Sequence, residues 1–178
     1  MRLGPVPLEW GSVSGERLWA PWRLDYIRQP SPEECIFCRA ASSEGDEERA
    51  SHVVVRGEHC FALLNAFPYT SGHLMVSPYD HVPSIEDLEA PAVAELMALA
   101  QRSLAALRRN YGSEGFNLGI NQGKVAGAGY EDHVHLHVVP RWGGDTNFMP
   151  VVGDVRVLPQ SLDDAWTELR ERFAEVSA

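Results

Sequence analysis

The chain has 178 residues, of which 44% are hydrophobic and 22% charged, values close to the average of globular domains. Its formal net charge of -10 argues against a general nucleic-acid surface, because such a surface needs a basic patch. No apolar run approaches the roughly 20 residues of a membrane helix, and no apolar segment typical of a signal peptide follows Arg2. We therefore expect a cytoplasmic protein without membrane or nucleic-acid partners.

The N-terminal part of the chain predicts a loose arm followed by a single domain. Residues 1–16 are rich in Gly, Pro and Ser and show no periodicity, so we place the domain at residues 17–178. From residue 17 onward, aromatic residues recur at near-helical spacing, and Pro21 suits the first turn of a short helix that covers the core. Between Cys38 and Ser51, an acidic stretch of small residues has the composition of a solvated loop.

The rest of the chain predicts strands, one long helix, further strands and a final helix. Five β-type runs are expected, at residues 52–56, 60–64, 73–77, 116–121 and 133–139. Leucines at helical spacing predict a long helix over residues 90–111 that ends at Gly112, and Ser161 is a suitable N-cap for a helix over residues 162–176. This order favours an α+β domain with an antiparallel sheet of about five strands.

The most informative motif is DHVHLHVV, in which His133, His135 and His137 alternate with apolar residues. Alternate side chains of a strand share one face, so the three imidazoles would lie about 7 Å apart on the face opposite the core. The residues alone leave three interpretations open: a solvated or mutually hydrogen-bonded row, a metal site that uses all three, and nucleophilic catalysis by one imidazole.

The run HVHLHVV resembles the defining H-φ-H-φ-H-φ-φ motif of the histidine-triad family. The segments CIFC, LLNAFPYTSGHLMVSPYDH, GFNLGINQG and PRWGGDTNF agree with that family in order and spacing. Together with RLWAPWRLDYI and VRVLP, they are similar to a bacterial branch of the family, and the resemblance extends from residue 17 to residue 159. It implies the family's α+β fold and a homodimer.

The resemblance also implies roles for individual residues. It makes His135 the nucleophile that attacks the α-phosphate of a nucleotide. Backbone N–H groups of the loop GKVAGAGYED, immediately before the histidines, are suited to stabilising phosphate charge. The residues expected to bind the nucleotide and its phosphates are Asn65, His73, Asn121, Gly127, Gly129 and His137.

The implied activity is that of a nucleotidyl hydrolase or transferase. Its substrates would be dinucleoside polyphosphates such as diadenosine tetraphosphate, and water or inorganic phosphate would accept the nucleotidyl group from a covalent histidine intermediate. Many relatives have Gln or Ser shortly before the triad, where this chain has Gly-Ala-Gly-Tyr at 127–130, and this departure leaves the acceptor open. Three alternatives remain: a purine nucleoside phosphoramidate-type hydrolase, a three-histidine metallohydrolase, and a nucleotide sensor without turnover.

Cys35 and Cys38 form a C-x-x-C pair. Taken alone, the pair could be a redox couple, half of a zinc site or two buried thiols. A tetrahedral structural zinc needs two further ligands, and the resemblance supplies His81 and His133. It therefore implies a structural Zn2+ and leaves His135 free for chemistry. The third cysteine, Cys60, lies in a β-type run, where we expect it to be buried.

Overall fold

We describe residues 34–145 and 159–176 of a computed structural model of the chain. The predicted arm at residues 1–16 and the aromatic segment that begins at residue 17 lie outside the described residues, so the division into arm and domain stays a prediction. None of the helices within the described ranges combines the length and the apolar character that a membrane span requires.

Four α-helices and five β-strands make up the described part of the chain. The helices are α1 (Ile36–Ser42), α2 (Asp46–Ala50), α3 (Ala90–Tyr111) and α4 (Leu162–Glu175). The strands are β1 (Val53–Arg56), β2 (Cys60–Leu64), β3 (Leu74–Pro78), β4 (Gly115–Ile120) and β5 (Leu136–Arg141). Single 3-10 turns lie at Ile85–Asp87 and Lys124–Ala126.

The strands form one sheet in the order β1-β2-β3-β5-β4, and every neighbouring pair is antiparallel. The predicted α+β class is therefore confirmed. The last strand in the chain, β5, is inserted between β3 and β4, and His137 on β5 lies opposite Met75 on one side and Gly119 on the other. The strand that carries the histidine motif consequently has a neighbour along both edges.

Strands β2 and β3 are buried on both faces, and the two faces of the sheet pack against different helices. On one face, leucines of α3 and α4 pack against alternate strand residues such as Leu74 and Val138. On the other face, Phe37 of α1 packs with Phe61 and Met75. Because Met75 and His137 are register partners, the alternation of a strand places the His137 side chain on the α1 face.

The helix ends follow local sequence signals closely. Helix α3 ends at the residue before Gly112, whose φ of 59° lies in the left-handed region that favours glycine. At the start of α4, the Ser161 hydroxyl accepts a hydrogen bond from the backbone N–H of Asp164, as expected of an N-cap. Both predictions are confirmed.

The acidic stretch predicted as a solvated loop is helical instead, because partners from distant parts of the chain hold it. The Arg56 guanidinium donates 2.9 Å hydrogen bonds to the carbonyl oxygens of Ala40 and Ala41 near the end of α1. Glu48 of α2 forms ion pairs with both Arg56 and Arg170. Composition alone could not reveal these partners.

The predicted strand over residues 133–139 was wrong at its start, because β5 begins at Leu136. The preceding residues are held by the last residue of β3 and by the loop that follows it rather than by regular strand pairing. The Val134 N–H donates to the carbonyl oxygen of Val82 at 2.8 Å, and Nε2 of His133 lies 3.0 Å from the carbonyl oxygen of Pro78. Only His137 of the three histidines therefore belongs to the regular strand.

Candidate active site and metal centre

His135 is held in one defined tautomer. Its Nδ1 atom lies 2.8 Å from the carbonyl oxygen of His133. A carbonyl oxygen can only accept, so Nδ1 of His135 carries the hydrogen and Nε2 of the neutral ring has a lone pair. The residue is 5% exposed, and burial lowers the pKa of its imidazole. The ring is therefore neutral at physiological pH, with Nε2 as the nucleophilic atom.

A second hydrogen-bonded pair lies beside it. The backbone N–H of Tyr69 donates to Nδ1 of His73 at 3.1 Å, so the hydrogen of the neutral His73 ring is on Nε2. That Nε2 lies 3.0 Å from Nδ1 of His137, which must accept. Nε2 of His137 is then the protonated atom, and it can donate to a phosphate oxygen.

The three imidazoles form one group. The ring centroids of His135 and His137 are 4.9 Å apart, and those of His73 and His137 are 5.2 Å apart. Burial, and secondly the neighbouring His135, lowers the pKa of His137 to about 4. Two neutral rings with opposite hydrogen-bonding roles thus lie side by side, His135 as a potential nucleophile and His137 as a potential donor.

The turn before β3 brings His73 to this place. Asn65 directly follows β2, and its Nδ2 lies 3.4 Å from Nδ1 of His73. Gly72 has a φ of 75°, and a Cβ there would lie 2.5 Å from the Tyr111 ring of α3. Glycine is therefore required both by the backbone and by the close approach to the helix. The predicted pair Asn65 and His73 is together in the structure.

The other predicted phosphate-binding residues lie in or before the loop that leads to the histidines. Asn121 follows Ile120, which is the register partner of Leu136, so Asn121 lies beside the segment that carries His135. The N–H of Gly127 donates to the carbonyl oxygen of Lys124 at 3.0 Å and closes a turn. Roles for Asn121, Gly127 and Gly129 in phosphate binding stay predictions.

The four predicted metal ligands converge. The ligand atoms of Cys35, Cys38, His81 and His133 all lie within 4.8 Å of one another. Nδ1 of His133 is 3.4 Å from the Cys35 sulfur, 3.7 Å from the Cys38 sulfur and 3.2 Å from Nδ1 of His81. The Cys38 sulfur is 3.2 Å from Nδ1 of His81.

These distances fit a tetrahedral zinc site. With bonds of about 2.3 Å to sulfur and about 2.0 Å to nitrogen, tetrahedral ligand atoms are roughly 3.3 to 3.8 Å apart. The contact between Nε2 of His133 and the Pro78 carbonyl fixes the hydrogen on Nε2 and leaves Nδ1 unprotonated, as a metal ligand must be. Burial, followed by the adjacent Cys35, raises the pKa of the Cys38 thiol, so a cation there would displace a proton.

The same geometry disfavours a metal site made of all three triad histidines. Both ring nitrogens of His133 are engaged away from His135, one at the cysteine pair and the other at the Pro78 carbonyl. His135 and His137 do not belong to the cluster of four residues that could hold a metal ion. The third cysteine, Cys60, is fully buried as predicted, and burial raises the pKa of its thiol to about 12.

Sequence reasoning did not single out Phe37, which lies between the two cysteines on α1. Its ring stacks on His135 with a centroid distance of 4.6 Å and an interplanar angle of 29°. It also contacts the ring of His133 at 5.1 Å and the edge of Tyr130 at 5.9 Å. The only sequence signal for it was its position inside the CIFC motif.

Comparison with known proteins identifies the family of this chain. The model of the HIT domain matches residues 46–144, and the chain therefore belongs to the HIT family. The chain is 40% identical over 167 residues to the AP-4-A phosphorylase of Mycobacterium tuberculosis, which covers 89% of this chain and 85% of that protein. It is 36% identical over 93 residues to the Bis(5'-adenosyl)-triphosphatase of Dictyostelium discoideum, covering 52% of this chain and 62% of the relative.

A solved structure supports the same assignment. The zinc-bound histidine triad family protein from Mycobacterium smegmatis superposes with a TM-score of 0.64 at 27% identity and covers 81% of this chain and 96% of its own. The family and fold inferred from the histidine motif are thereby confirmed.

Proposed function

We propose that this protein is a nucleotidyl hydrolase or transferase that cleaves dinucleoside polyphosphates, such as diadenosine tetraphosphate, through a covalent nucleotidyl-His135 intermediate. The observation that carries the proposal is the 2.8 Å contact between Nδ1 of His135 and the His133 carbonyl, which leaves the Nε2 lone pair for attack. Relatives named for the phosphorolysis of AP-4-A and for a triphosphatase reaction support this substrate class.

The reaction proceeds in two displacements at phosphorus. In the first, Nε2 of His135 forms a bond to the α-phosphorus, and the bond from that phosphorus to the bridging oxygen breaks, which releases ATP from diadenosine tetraphosphate. The Nδ1–H of His135 keeps its hydrogen bond to the His133 carbonyl oxygen, and this bond stabilises the positive charge that develops on the imidazole. In the second, an oxygen of water or inorganic phosphate attacks the same phosphorus and the nitrogen–phosphorus bond breaks, which returns the lone pair to Nε2 and releases AMP or ADP. The proton that an attacking water loses passes to the solvent.

His137 and His73 stabilise the charge on the reacting phosphate. The Nε2 hydrogen of His137 is available for an oxygen of the α-phosphate, and His73 holds His137 in that tautomer through the 3.0 Å contact. Both rings are neutral in these tautomers, so they offer hydrogen-bond donors of fixed direction and no positive charge. Neutral donors fixed in direction supply the stabilisation instead.

Product analysis tests the proposal directly. Diadenosine tetraphosphate should give AMP plus ATP if water is the acceptor, and ADP plus ATP if inorganic phosphate is. The His135→Ala variant should be inactive, and mass spectrometry of quenched native enzyme should detect an adenylyl group that this variant lacks. His59→Ala, which changes a histidine outside the site, serves as the control. A fully active His135→Ala variant would refute the proposal.

We also propose a structural role for Zn2+ at Cys35, Cys38, His81 and His133. A bound Zn2+ would supply a cross-link between the N-terminal end of α1, the loop after β3 and the segment that enters β5. Since the two thiols lie at the N-cap and in the first turn of α1 and His133 provides the acceptor for His135, the ligands themselves connect α1 to the candidate nucleophile.

Two further proposals concern where and in what form the enzyme works. Strand β4 lies at an edge of the sheet, and its residues Asn117, Leu118 and Gly119 are exposed, which supports a homodimer formed along this edge. Light scattering would show a mass of two chains if this is correct. The three free cysteines suit the reducing cytoplasm, where we place the protein.

A further inference from the structure

We propose that Phe37 is a positioning residue for the reaction: its ring fixes the plane of the His135 imidazole and thereby aims Nε2 at the phosphorus. This inference rests on the proposed function, in which His135 is the nucleophile. Phe37 is not itself a catalytic residue, because it is 1% exposed and its ring packs against the face of the His135 imidazole.

A single hydrogen bond does not fix the plane of the His135 ring. The bond from Nδ1 to the His133 carbonyl fixes the position of one ring atom. The ring can still tilt about that bond, and χ2 of histidine is a soft torsion with broad minima. The near-parallel Phe37 ring, with a centroid distance of 4.6 Å and an angle of 29°, removes this remaining freedom by contact along the face.

The Phe37 ring is itself held from several sides. It belongs to a buried cluster with Phe61, Leu63 and Met75 on the α1 face of the sheet. Tyr130, from the loop that precedes the histidines, meets it edge-on at 5.9 Å. Because the Phe37 ring is restrained in this way, it can hold the stacked His135 imidazole in one orientation.

The position of Phe37 in the chain adds a second restraint. It is flanked by two predicted metal ligands, Cys35 at the N-cap of α1 and Cys38 one turn further on. The same ring also lies 5.1 Å from the ring of His133. Two of the four predicted ligands and the ring that stacks on His135 thus lie at the start of one short helix, so a displacement of α1 would move both.

Phe61 provides a matched control. It belongs to the same buried cluster and is 0% exposed, yet its ring stacks on Tyr79 at 5.3 Å and not on a histidine. Phe37→Leu and Phe61→Leu therefore remove the same atoms from the same cluster. If Phe37 acts only as core packing, the two variants should behave alike.

The first measurement is a two-dimensional spectrum that correlates the side-chain nitrogens and carbons of histidine, with His135 assigned from the His135→Ala variant. Native protein and Phe61→Leu should both show His135 as a single Nδ1–H tautomer. Phe37→Leu should broaden the His135 signals by exchange between ring orientations, in addition to the simple shift that loss of a stacked ring produces by itself. This readout does not require activity, so it remains decisive if diadenosine tetraphosphate and other nucleotides are not turned over and the proposed function fails.

The second measurement is steady-state kinetics with diadenosine tetraphosphate. Relative to Phe61→Leu, Phe37→Leu should lower kcat roughly tenfold and leave KM within about twofold, because a misaimed nucleophile affects the chemical step and not substrate binding. Equal kcat values in the two variants, or His135 signals that are not broadened in Phe37→Leu, would overturn the inference. A raised KM with kcat unchanged would also overturn it, since it would assign Phe37 to substrate contact.

Discussion

His73, which immediately precedes β3, is joined to His137 of β5 by a 3.0 Å contact between Nε2 of the first ring and Nδ1 of the second. The backbone N–H of Tyr69 sets the direction of this bond, because it occupies the other nitrogen of His73. A main-chain group at the end of a turn therefore determines which nitrogen of His137 can face a phosphate.

Removing the hydrogen-bond donor at position 73 should leave the His137 side chain in place but no longer fix its Nε2 hydrogen toward the phosphate. We expect His73→Ala to lower kcat about 10- to 100-fold, since a misdirected donor no longer stabilises the transition state. His73→Gln, whose side-chain N–H can replace the imidazole Nε2–H, should recover part of the loss. Steady-state kinetics of both variants would check this, and equal losses in the two would contradict it.

Acid should destabilise the fold through His137. The pKa of this residue is about 4 in the folded protein and near 6.5 when it is unperturbed, so the unfolded chain binds the proton first as pH falls. The stability from this group is complete above pH 6.5 and is lost as pH falls toward 4. Between pH 7 and pH 5 we expect a loss of about 2 kcal/mol.

Urea unfolding at the two pH values would measure this loss. The His137→Asn variant should show a shallower dependence on pH than the native protein. His59→Asn, which alters a histidine outside the site, should keep the native dependence. An identical slope in His137→Asn and native protein would exclude His137 as the source.

Glu95 should stabilise the turn between β1 and β2. Its carboxylate accepts hydrogen bonds from the backbone N–H groups of Glu58, His59 and Cys60, and these bonds hold the pKa of the carboxyl below its usual range despite the opposing effect of burial. We expect Glu95→Gln to lower the free energy of unfolding by about 1 to 3 kcal/mol. Glu171→Gln on the exposed surface of α4 should change it little, and similar values for both variants would contradict the role of Glu95.

The zinc content should depend on the four clustered residues, among them Cys38, and not on the third cysteine, Cys60. Elemental analysis should find zinc bound to the native protein and to Cys60→Ala, and a large loss in Cys38→Ser, because a hydroxyl is a poor replacement for a thiolate on zinc. Chelation should lower the melting temperature of the native protein and of Cys60→Ala, since the metal binds only the folded state. Undiminished zinc in Cys38→Ser would contradict the assigned ligands.

Much of this structure could be predicted because the relevant signals are local. Gly112 ends α3 through its own backbone conformation, and Ser161 begins α4 through a hydrogen bond to a residue three positions away. The metal ligands required the resemblance to a family, since Cys35 and His133 are 98 positions apart in the chain. Their convergence depends on the order of strands in the sheet, which no local pattern specifies.

The features that were missed depend on contacts between distant segments. The helical form of the acidic stretch relies on Arg56 and Arg170, and the late start of β5 relies on Pro78 and Val82. Phe37 resembles any other core aromatic until its distance to His135 is known. In each case the partner is remote in sequence, so neither periodicity nor composition could identify it.

Residue 133 contributes to the molecule in two separable ways. Its imidazole faces the cysteines, whereas its carbonyl oxygen faces His135. The imidazole can be lost by a single substitution, but every amino acid has the carbonyl. A related protein that lacks the imidazole at this position, and with it the metal site, would therefore still have the carbonyl oxygen that orients the nucleophile, provided that its main chain follows the same path.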